Sequence, residues 1–349
     1  MKPAAYKYFH GCKRFASIPH LLLAGATALL SAALVATQTG CASMQVKLGW
    51  KVYLDRTPIK SIEAGLPNGP AIAPGQKSPL VVTVTEPDGK TLVTEGKGHG
   101  KVMWKDLQVT ASVVTANQKG VLSLAKDPRV SDGKVGHVTI TVPSHPDVRA
   151  ELDIPFRYDI AFVSNFSGSK GADGMNGSDG IDGASGSMGS IDPNNPSPGG
   201  NGGDGTDGSN GGDGGQGGDA PPVQVQVALQ SGSHPLLQVA VSAVGKRKLY
   251  LIDPQGGSLT VHADGGAAGS GGRGGHGGRG GSGGIGSPNG SNGRDGMSGL
   301  NGSDGSAGRG GSITVTYDPQ AKPYLGTIHL SSWNGPKPVF REETMAAIW

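Results

Sequence analysis

Cysteine is nearly missing from this 349-residue chain, which contains Cys12 and Cys41 and no other. So few cysteines exclude a disulfide-rich scaffold and a thiolate metal site. Aromatic residues make up 5% of the chain, so we expect small hydrophobic cores. The HExxH, GxSxG and GxxxxGK[ST] patterns are missing, and no cysteines or histidines have the spacing of metal ligands. The sequence therefore predicts that the protein is not an enzyme and needs no cofactor.

Residues 1–40 have the pattern of a targeting segment. A basic start without any acidic residue precedes the apolar run IPHLLLAGATALLSAALVA, and QTGCAS follows this run one residue later. This pattern resembles a bacterial lipoprotein signal peptide. The resemblance implies a signal helix within residues 1–40, cleavage before Cys41 and a lipid on that cysteine. Because residue 42 is Ala rather than Asp, the resemblance also implies delivery to the outer membrane.

Gln38 departs from this family pattern, which usually has Leu three residues before the cysteine. Ordinary cleavage near Ala36, or retention of the segment as a membrane anchor, therefore remains open. Loss of residues 1–40 removes four cationic side chains, which turns the formal net charge of +3 negative. The apparent basicity thus lies mostly in the signal segment, and we expect no nucleic-acid partner.

Short alternating strands dominate residues 41–160. The segment PLVVTVTEPDGKTLVTEG predicts a hairpin that turns at Pro87–Gly89, and HVTITV places Val138, Ile140 and Val142 on one face. Trp50 and Trp104 are expected in the core. Short strands separated by turns predict a β-sandwich. The segments IAPGQKSPLVVTVTEPDGK and GHVTITVPSHPDVRAELDIPFRYD resemble the Ig-like domains of bacterial surface proteins, over about 90 residues.

A second set of strands surrounds two glycine-rich blocks. Residues 221–264 alternate with period two in VQVQVAL, and residues 313–349 begin with ITVTYDP. Strands thus lie on both sides of the glycine blocks at 161–220 and 265–312. We predict a mainly β chain in which these blocks are excursions from a β scaffold.

Glycine recurs at every third position in four tracts. Tract A is 168–189, tract B is 199–217, tract C is 266–284 and tract D is 290–311. Breaks rich in Pro and Asn separate A from B and C from D, which predicts two hairpins of tracts. A period of three matches a polyproline-II helix, in which every third residue falls on one face.

Three structures compete for this period. A collagen triple helix has the strict glycine frame, but it needs proline, and the four tracts contain none. A disordered spacer explains the composition but not the constant frame. An intrachain bundle of polyglycine-II helices explains both, and the tracts resemble the bundles of snow flea antifreeze protein and of the tip adhesins of phage tail fibres.

The bundle hypothesis assigns roles to faces of the tracts. Tracts B and C each have glycine on two of three faces, so we expect them in the centre, each with two neighbours, and tracts A and D outside, each with one. Apolar residues of A and D, such as Met175, Ile181, Met297 and Leu300, are expected to cover the β scaffold. The glycines predicted to pack against neighbouring backbones are Gly202, Gly205, Gly208, Gly211, Gly214, Gly272, Gly275, Gly278 and Gly281.

Two sets of polar residues are candidate binding groups. Arg273, His276 and Arg279 share the one non-glycine face of tract C and are the candidates to face a ligand. GGDGTD matches the start of a calcium-binding nonapeptide, which makes Asp204, Asp207 and Asp213 candidate Ca²⁺ ligands. However, Ser209 and Gly218 occupy the apolar position of that repeat.

These observations predict a monomeric, non-enzymatic lipoprotein of the cell envelope, anchored to the outer membrane by lipid. Its expected role is structural or adhesive, with a glycan or an envelope protein as the partner. The alternative is a Ca²⁺-dependent binding module that uses the Asp- and Gly-rich block.

Overall fold

The computed structural model describes residues 45–46, 48–232 and 234–349. Residues 1–40, with the expected signal helix, and Cys41 lie outside the described residues. The described chain is mainly β. Its strands are β1 (Ser61–Gly65), β2 (Lys77–Pro79), β3 (Val81–Thr85), β4 (Thr91–Val93), β5 (Gln108–Ser112), β6 (Val114–Ala116), β7 (Val121–Leu124), β8 (Gly136–Val142), β9 (His145–Ile154), β10 (Ala161–Asn165), β11 (Val223–Gln230), β12 (Leu236–Ala243), β13 (Lys246–Ile252), β14 (Ser258–His262), β15 (Ile313–Tyr317), β16 (Ile328–Ser331) and β17 (Val339–Glu342).

The described chain also contains short 3₁₀ helices. They span Leu54–Arg56, Gly96–Gly98, Trp104–Asp106, Pro128–Val130 and Pro319–Thr327. The strands form sheets in the orders β1-β3-β4, β2-β7-β6, β5-β8-β9, β10-β14-β16 and β13-β12-β11-β15-β17.

The chain divides into two compact units, and each is built from several stretches. One unit holds the residues up to Ile62 together with 82–108 and 141–149. The other holds 63–81, 109–140 and 150–349. The domain boundaries expected from the sequence stay a prediction.

The hairpin in the first unit confirms the sequence pattern. β3 pairs antiparallel with β4, with Thr83 opposite Val93. Gly89 ends the turn at φ +86°, a left-handed conformation that a side chain disfavours. Trp104 is buried as expected. The expectation for Trp50 is wrong: it is 64% exposed, in a short turn where its N–H donates to the carbonyl of Gln45 at 2.8 Å.

The alternation in HVTITV is also confirmed. Val138, Ile140 and Val142 lie in β8 and are all fully buried. Successive side chains of a strand point to opposite faces of the sheet, so a period of two selects one face for the core. The intervening Thr139 and Thr141 are half-buried.

The second unit contains the two sheets that carry the glycine tracts. In the larger sheet β11 pairs antiparallel with β12 and parallel with β15. In the smaller sheet β14 lies between β10 and β16 and is parallel to both. One hydrophobic core joins the two sheets, and burial of each large aliphatic side chain there stabilises the fold by about 1.5–3 kcal/mol. Its fully buried members include Val223, Val227, Leu237, Val239, Leu259, Val261, Ile313 and Val315.

Candidate functional site

The four glycine tracts are direct continuations of strands in the second unit. β10 leads into tract A and β14 into tract C, while tract B leads into β11 and tract D into β15. Because β10 and β14 are parallel neighbours, tracts A and C leave the sheet side by side. The ladder continues without a break: Phe166 donates its N–H to the carbonyl of His262 at 2.8 Å, and Gly168 donates to Asp264 at 2.9 Å. Strand pairing therefore sets the register of the tracts.

Parallel tracts are joined by one backbone hydrogen bond per three residues. Between A and C, Gly171 donates to the carbonyl of Ala267 at 2.9 Å, and Gly177 donates to Arg273 at 2.7 Å. Tracts B and D, which extend from the parallel pair β11 and β15, repeat the pattern. The glycines at every third position are thus also the residues whose N–H groups donate these hydrogen bonds.

Antiparallel tracts are joined in the same way. Tract B donates to tract A, tract C donates to tract B, and tract D donates to tract C, at N···O distances between 2.7 and 2.9 Å. Gly275 to Ser209 and Gly299 to Gly275 are examples, at 2.9 and 2.8 Å. A and B, and likewise C and D, are the antiparallel neighbours that the Pro- and Asn-rich breaks predict.

Tracts B and C are central, but the expected numbers of neighbours are wrong. The hydrogen bonds give B and C three neighbouring tracts each, and A and D two each. Bare glycine faces are not the only faces that tolerate a neighbour. The additional contacts run through faces with short polar side chains, because those side chains themselves bond to the neighbouring backbone.

Three rows of Asp, Asn and Ser side chains supply these bonds. In tract A, Asn176 and Asp179 accept from the N–H groups of Arg273 and His276 in tract C, at 2.9 and 2.8 Å. Tract D accepts from the other side of tract C, with Asn301 bonded to Gly274 at 2.9 Å. In the third row, polar side chains of tract B accept from backbone N–H groups of tract D. These rows were not predicted from the sequence, although the polar residues at a constant spacing of three in the tracts are their signal.

The glycines in the frame leave no space for a side chain. A Cβ placed on Gly275 would overlap the carbonyl oxygen of Ser178, and one on Gly278 would overlap that of Ile181. In tract B, a Cβ on Gly208 would overlap the carbonyl oxygen of Gly275. The obstacle is backbone in every case, so it has little freedom to move away. The same holds for the other glycines selected from the sequence: Gly202, Gly205, Gly211, Gly214, Gly272 and Gly281.

The candidate Ca²⁺ ligands form part of the B–D row. The Oδ1 atoms of Asp204, Asp207 and Asp213 accept from backbone N–H groups of tract D, each at 2.7 Å. Within the described residues, no three His, Cys, Asp or Glu side chains are grouped closely enough to hold a metal ion. The arrangement therefore gives these carboxylates a role in joining tracts.

Arg273, His276 and Arg279 lie together on tract C with exposed side chains. Their backbone carbonyls accept from Gly177, Gly180 and Gly183 of tract A. Their backbone N–H groups donate to polar side chains of tract A. The backbone of this row is thus fixed, while its three side chains are exposed.

The apolar residues of tracts A and D do not cover the scaffold, contrary to the expectation. Met175 and Ile181 in tract A are 84% and 74% exposed, and Met297 and Leu300 in tract D are 74% and 73% exposed. The tracts extend away from the strands as extended chain, so side chains along their length have no sheet beneath them.

Asp264 connects the small sheet to the start of tract C. Its carboxylate accepts from Ser331 Oγ at 2.5 Å and from the N–H of Trp333 at 2.7 Å, and it also bonds to His262. Partial burial raises the pKa of Asp264, but these three hydrogen bonds outweigh that effect and leave its pKa below the usual value.

In tract A, the pKa of Asp173 is also lowered. The Lys170 ammonium group causes most of the shift, and the N–H of Ser270 in tract C adds to it. This carboxylate therefore stays ionised while it bonds to tract C.

No protein-family model matches the chain, and no curated protein matches it. Between residues 45 and 349, the described part of the chain contains no helix that is both long and apolar enough to span a membrane.

Proposed function

We propose that this chain is a non-enzymatic lipoprotein of the cell envelope that presents a rigid bundle of four polyglycine-II helices on a β scaffold, with a structural or adhesive role. The observation that carries the proposal is the continuous hydrogen-bond ladder that runs from β10 and β14 into tracts A and C. A bundle that begins in register with a sheet needs no second copy of the chain, which favours a monomer over a collagen trimer.

The hydrogen-bond period supports the helix type. Polyglycine-II and polyproline-II helices have three residues per turn and a rise of about 3.1 Å, and the tracts donate to a given neighbour at every third residue. Tract A, with residues 168–189, would then extend about 65 Å from the sheet. Short Cα–H···O contacts and the main-chain ladder would together replace a hydrophobic core.

The side chains on the surface of the tracts support a role in binding a partner rather than in catalysis. Several polar side chains of the tracts are engaged by main-chain N–H groups, and thus serve the bundle itself. The exposed Arg273 row and the exposed Met175 and Ile181 remain available to a partner such as a glycan or an envelope protein. The Ig-like character of residues 41–160 belongs to the same proposal and rests on the sequence resemblance.

Hydrogen exchange tests the bundle. The amides of Gly275 and Gly278 should exchange far more slowly than the amides of the 190–198 connection, and sedimentation should give a monomer. Rapid exchange throughout the tracts would show a disordered spacer, and a trimer would show collagen.

Acyl labelling in bacteria tests the anchor. Cys41→Ser should abolish incorporation of labelled fatty acid and release the protein from the outer-membrane fraction. Retained labelling in the mutant would exclude lipidation at this cysteine. Protease treatment of whole cells then determines whether the bundle faces the medium.

A further inference from the structure

A cavity in the second unit lies apart from the glycine tracts. It has a volume of about 670 Å³, which falls within the range of small-molecule sites, about 300–1,000 Å³. Strands β10 and β13 both line it, and each is the edge strand of its sheet. The cavity therefore occupies the open side of the sandwich that these two sheets form around their shared core.

The cavity carries an excess of positive charge. Lys126, Arg129, Arg247 and Lys248 line it, and Asp127 is the carboxylate beside them. Asp127 is already engaged by Arg129, with Nη2–Oδ2 at 2.6 Å and Nε–Oδ1 at 3.0 Å. Among the described residues, Lys126, Arg247 and Lys248 form no ion pair with a carboxylate. The Lys248 ammonium lies 4.6 Å from the centroid of the Phe166 ring, so Lys126 and Arg247 are the cations available to an anionic ligand.

Aromatic rings form another part of the cavity wall. Phe162 of β10 and Tyr250 of β13 contact each other with ring centroids 5.6 Å apart and a tilt of 58°. Trp349 also lines the cavity, and its indole N–H donates to Asp132 Oδ2 at 2.8 Å. Asp132 in turn accepts from Gln230 at 3.1 Å. The indole is therefore held in a fixed orientation before any ligand arrives.

We propose that this cavity binds a carboxylated sugar, such as a uronic-acid unit of an acidic polysaccharide. A pyranose ring offers an apolar C–H face to fixed aromatic rings, and its carboxylate lies at the ring edge, where Arg247 can bind it in a bidentate manner. Lys126 would neutralise the next acidic unit. The three aromatic rings favour a cyclic ligand over an acidic peptide, whose carboxylates lie on flexible side chains.

Calorimetry with the full chain tests the proposal, with trigalacturonic acid as the probe and its trimethyl ester as the neutral match. We expect saturable binding of the acid and at least a tenfold weaker affinity for the ester. Arg247→Ala should weaken binding of the acid by about tenfold or more. Lys246→Ala removes the same charge from the same strand but lies outside the cavity lining, so it should change the affinity less than twofold.

Trp349→Ala tests the aromatic wall, and it should also weaken binding of the acid. Hexaglutamate should bind at least tenfold more weakly than the sugar acid. No binding of trigalacturonic acid at millimolar concentration, or an equal loss in Lys246→Ala and Arg247→Ala, would overturn the proposal. Equal affinity for hexaglutamate would identify an acidic-peptide site instead. None of these results depends on the glycine bundle, which hydrogen exchange tests separately.

Discussion

The N–H of Gly275 in tract C donates to the carbonyl of Ser209 in tract B at 2.9 Å. The carbonyl oxygen of Ser178 in tract A occupies the place where a side chain on Gly275 would begin. Gly275 thus bonds to tract B through its N–H, and tract A can approach it closely because glycine has no side chain.

Gly275→Val should lower the free energy of unfolding by about 3 kcal/mol, the upper end of the usual cost of overpacking. The reason is that the new side chain meets the backbone of tract A, which a ladder of hydrogen bonds holds in place. Chemical denaturation of the purified protein measures the change. Arg273→Ala, on the exposed row of the same tract, is the matched control and should cost about 0.5 kcal/mol or less. Equal tolerance of both substitutions would show that no bundle forms.

Asp179→Ala should destabilise the protein by about 0.5–1.5 kcal/mol, the usual net worth of a hydrogen bond. The carboxylate accepts from the N–H of His276 at 2.8 Å, and alanine leaves that donor to water. Asp179→Asn keeps an acceptor oxygen at the same position and should retain most of the stability. Denaturation midpoints of the three proteins check this. If Asn and Ala were equally destabilising, charge rather than the bond to tract C would be responsible.

Asp264 should make stability depend on pH in acid. Its pKa in the folded protein lies below the usual 3.8, so its contribution is fully present above that value and is lost as the pH falls through the lowered pKa. Unfolding measured between pH 5 and pH 2 should show a steeper loss for the wild type than for Asp264→Asn. Asp88→Asn, on an exposed turn, is the control and should follow the wild type. Parallel curves for all three proteins would contradict the assignment.

Ile181→Ser should change the free energy of unfolding by no more than about 0.5 kcal/mol, because the side chain is 74% exposed. Val225→Ala, at a core position that is 1% exposed, should cost about 1–3 kcal/mol. Thermal unfolding compares the two. A large loss in Ile181→Ser would mean that tract A is covered by the scaffold after all.

Local periodicity in the sequence was sufficient for the strands and for the glycine frame. Val223, Val225 and Val227 alternate with polar residues, and the structure buries all three. Such patterns are readable because the repeat of a backbone conformation, two residues for a strand and three for an extended helix, decides which side chains share a face. The central position of tracts B and C followed from the same reasoning, applied to their glycine-rich faces.

Exposure of single residues depended on more distant parts of the chain. Trp50 is apolar enough for a core but lies in a short turn, and Met175 and Ile181 lie on a tract that extends beyond the sheet. The apolar character of a side chain favours its burial, but the side chain is buried only where another element of the fold lies over it. The cavity beside Phe162 and Tyr250 depends likewise on two edge strands, which are far apart in sequence.

By itself, the sequence determined that every third residue in four tracts must be glycine-sized and that the flanking segments are strands. Only the tertiary structure decided which tracts are neighbours and in which direction they run, because the parallel pairing of β10 with β14 and of β11 with β15 sets the register in which the tracts begin. It also decided that Asp179 and Asp207 bond to neighbouring tracts. A carboxylate in a sequence has no partner until folding brings a specific N–H within 3 Å of it. Here those donors lie 97 and 90 residues further along the chain.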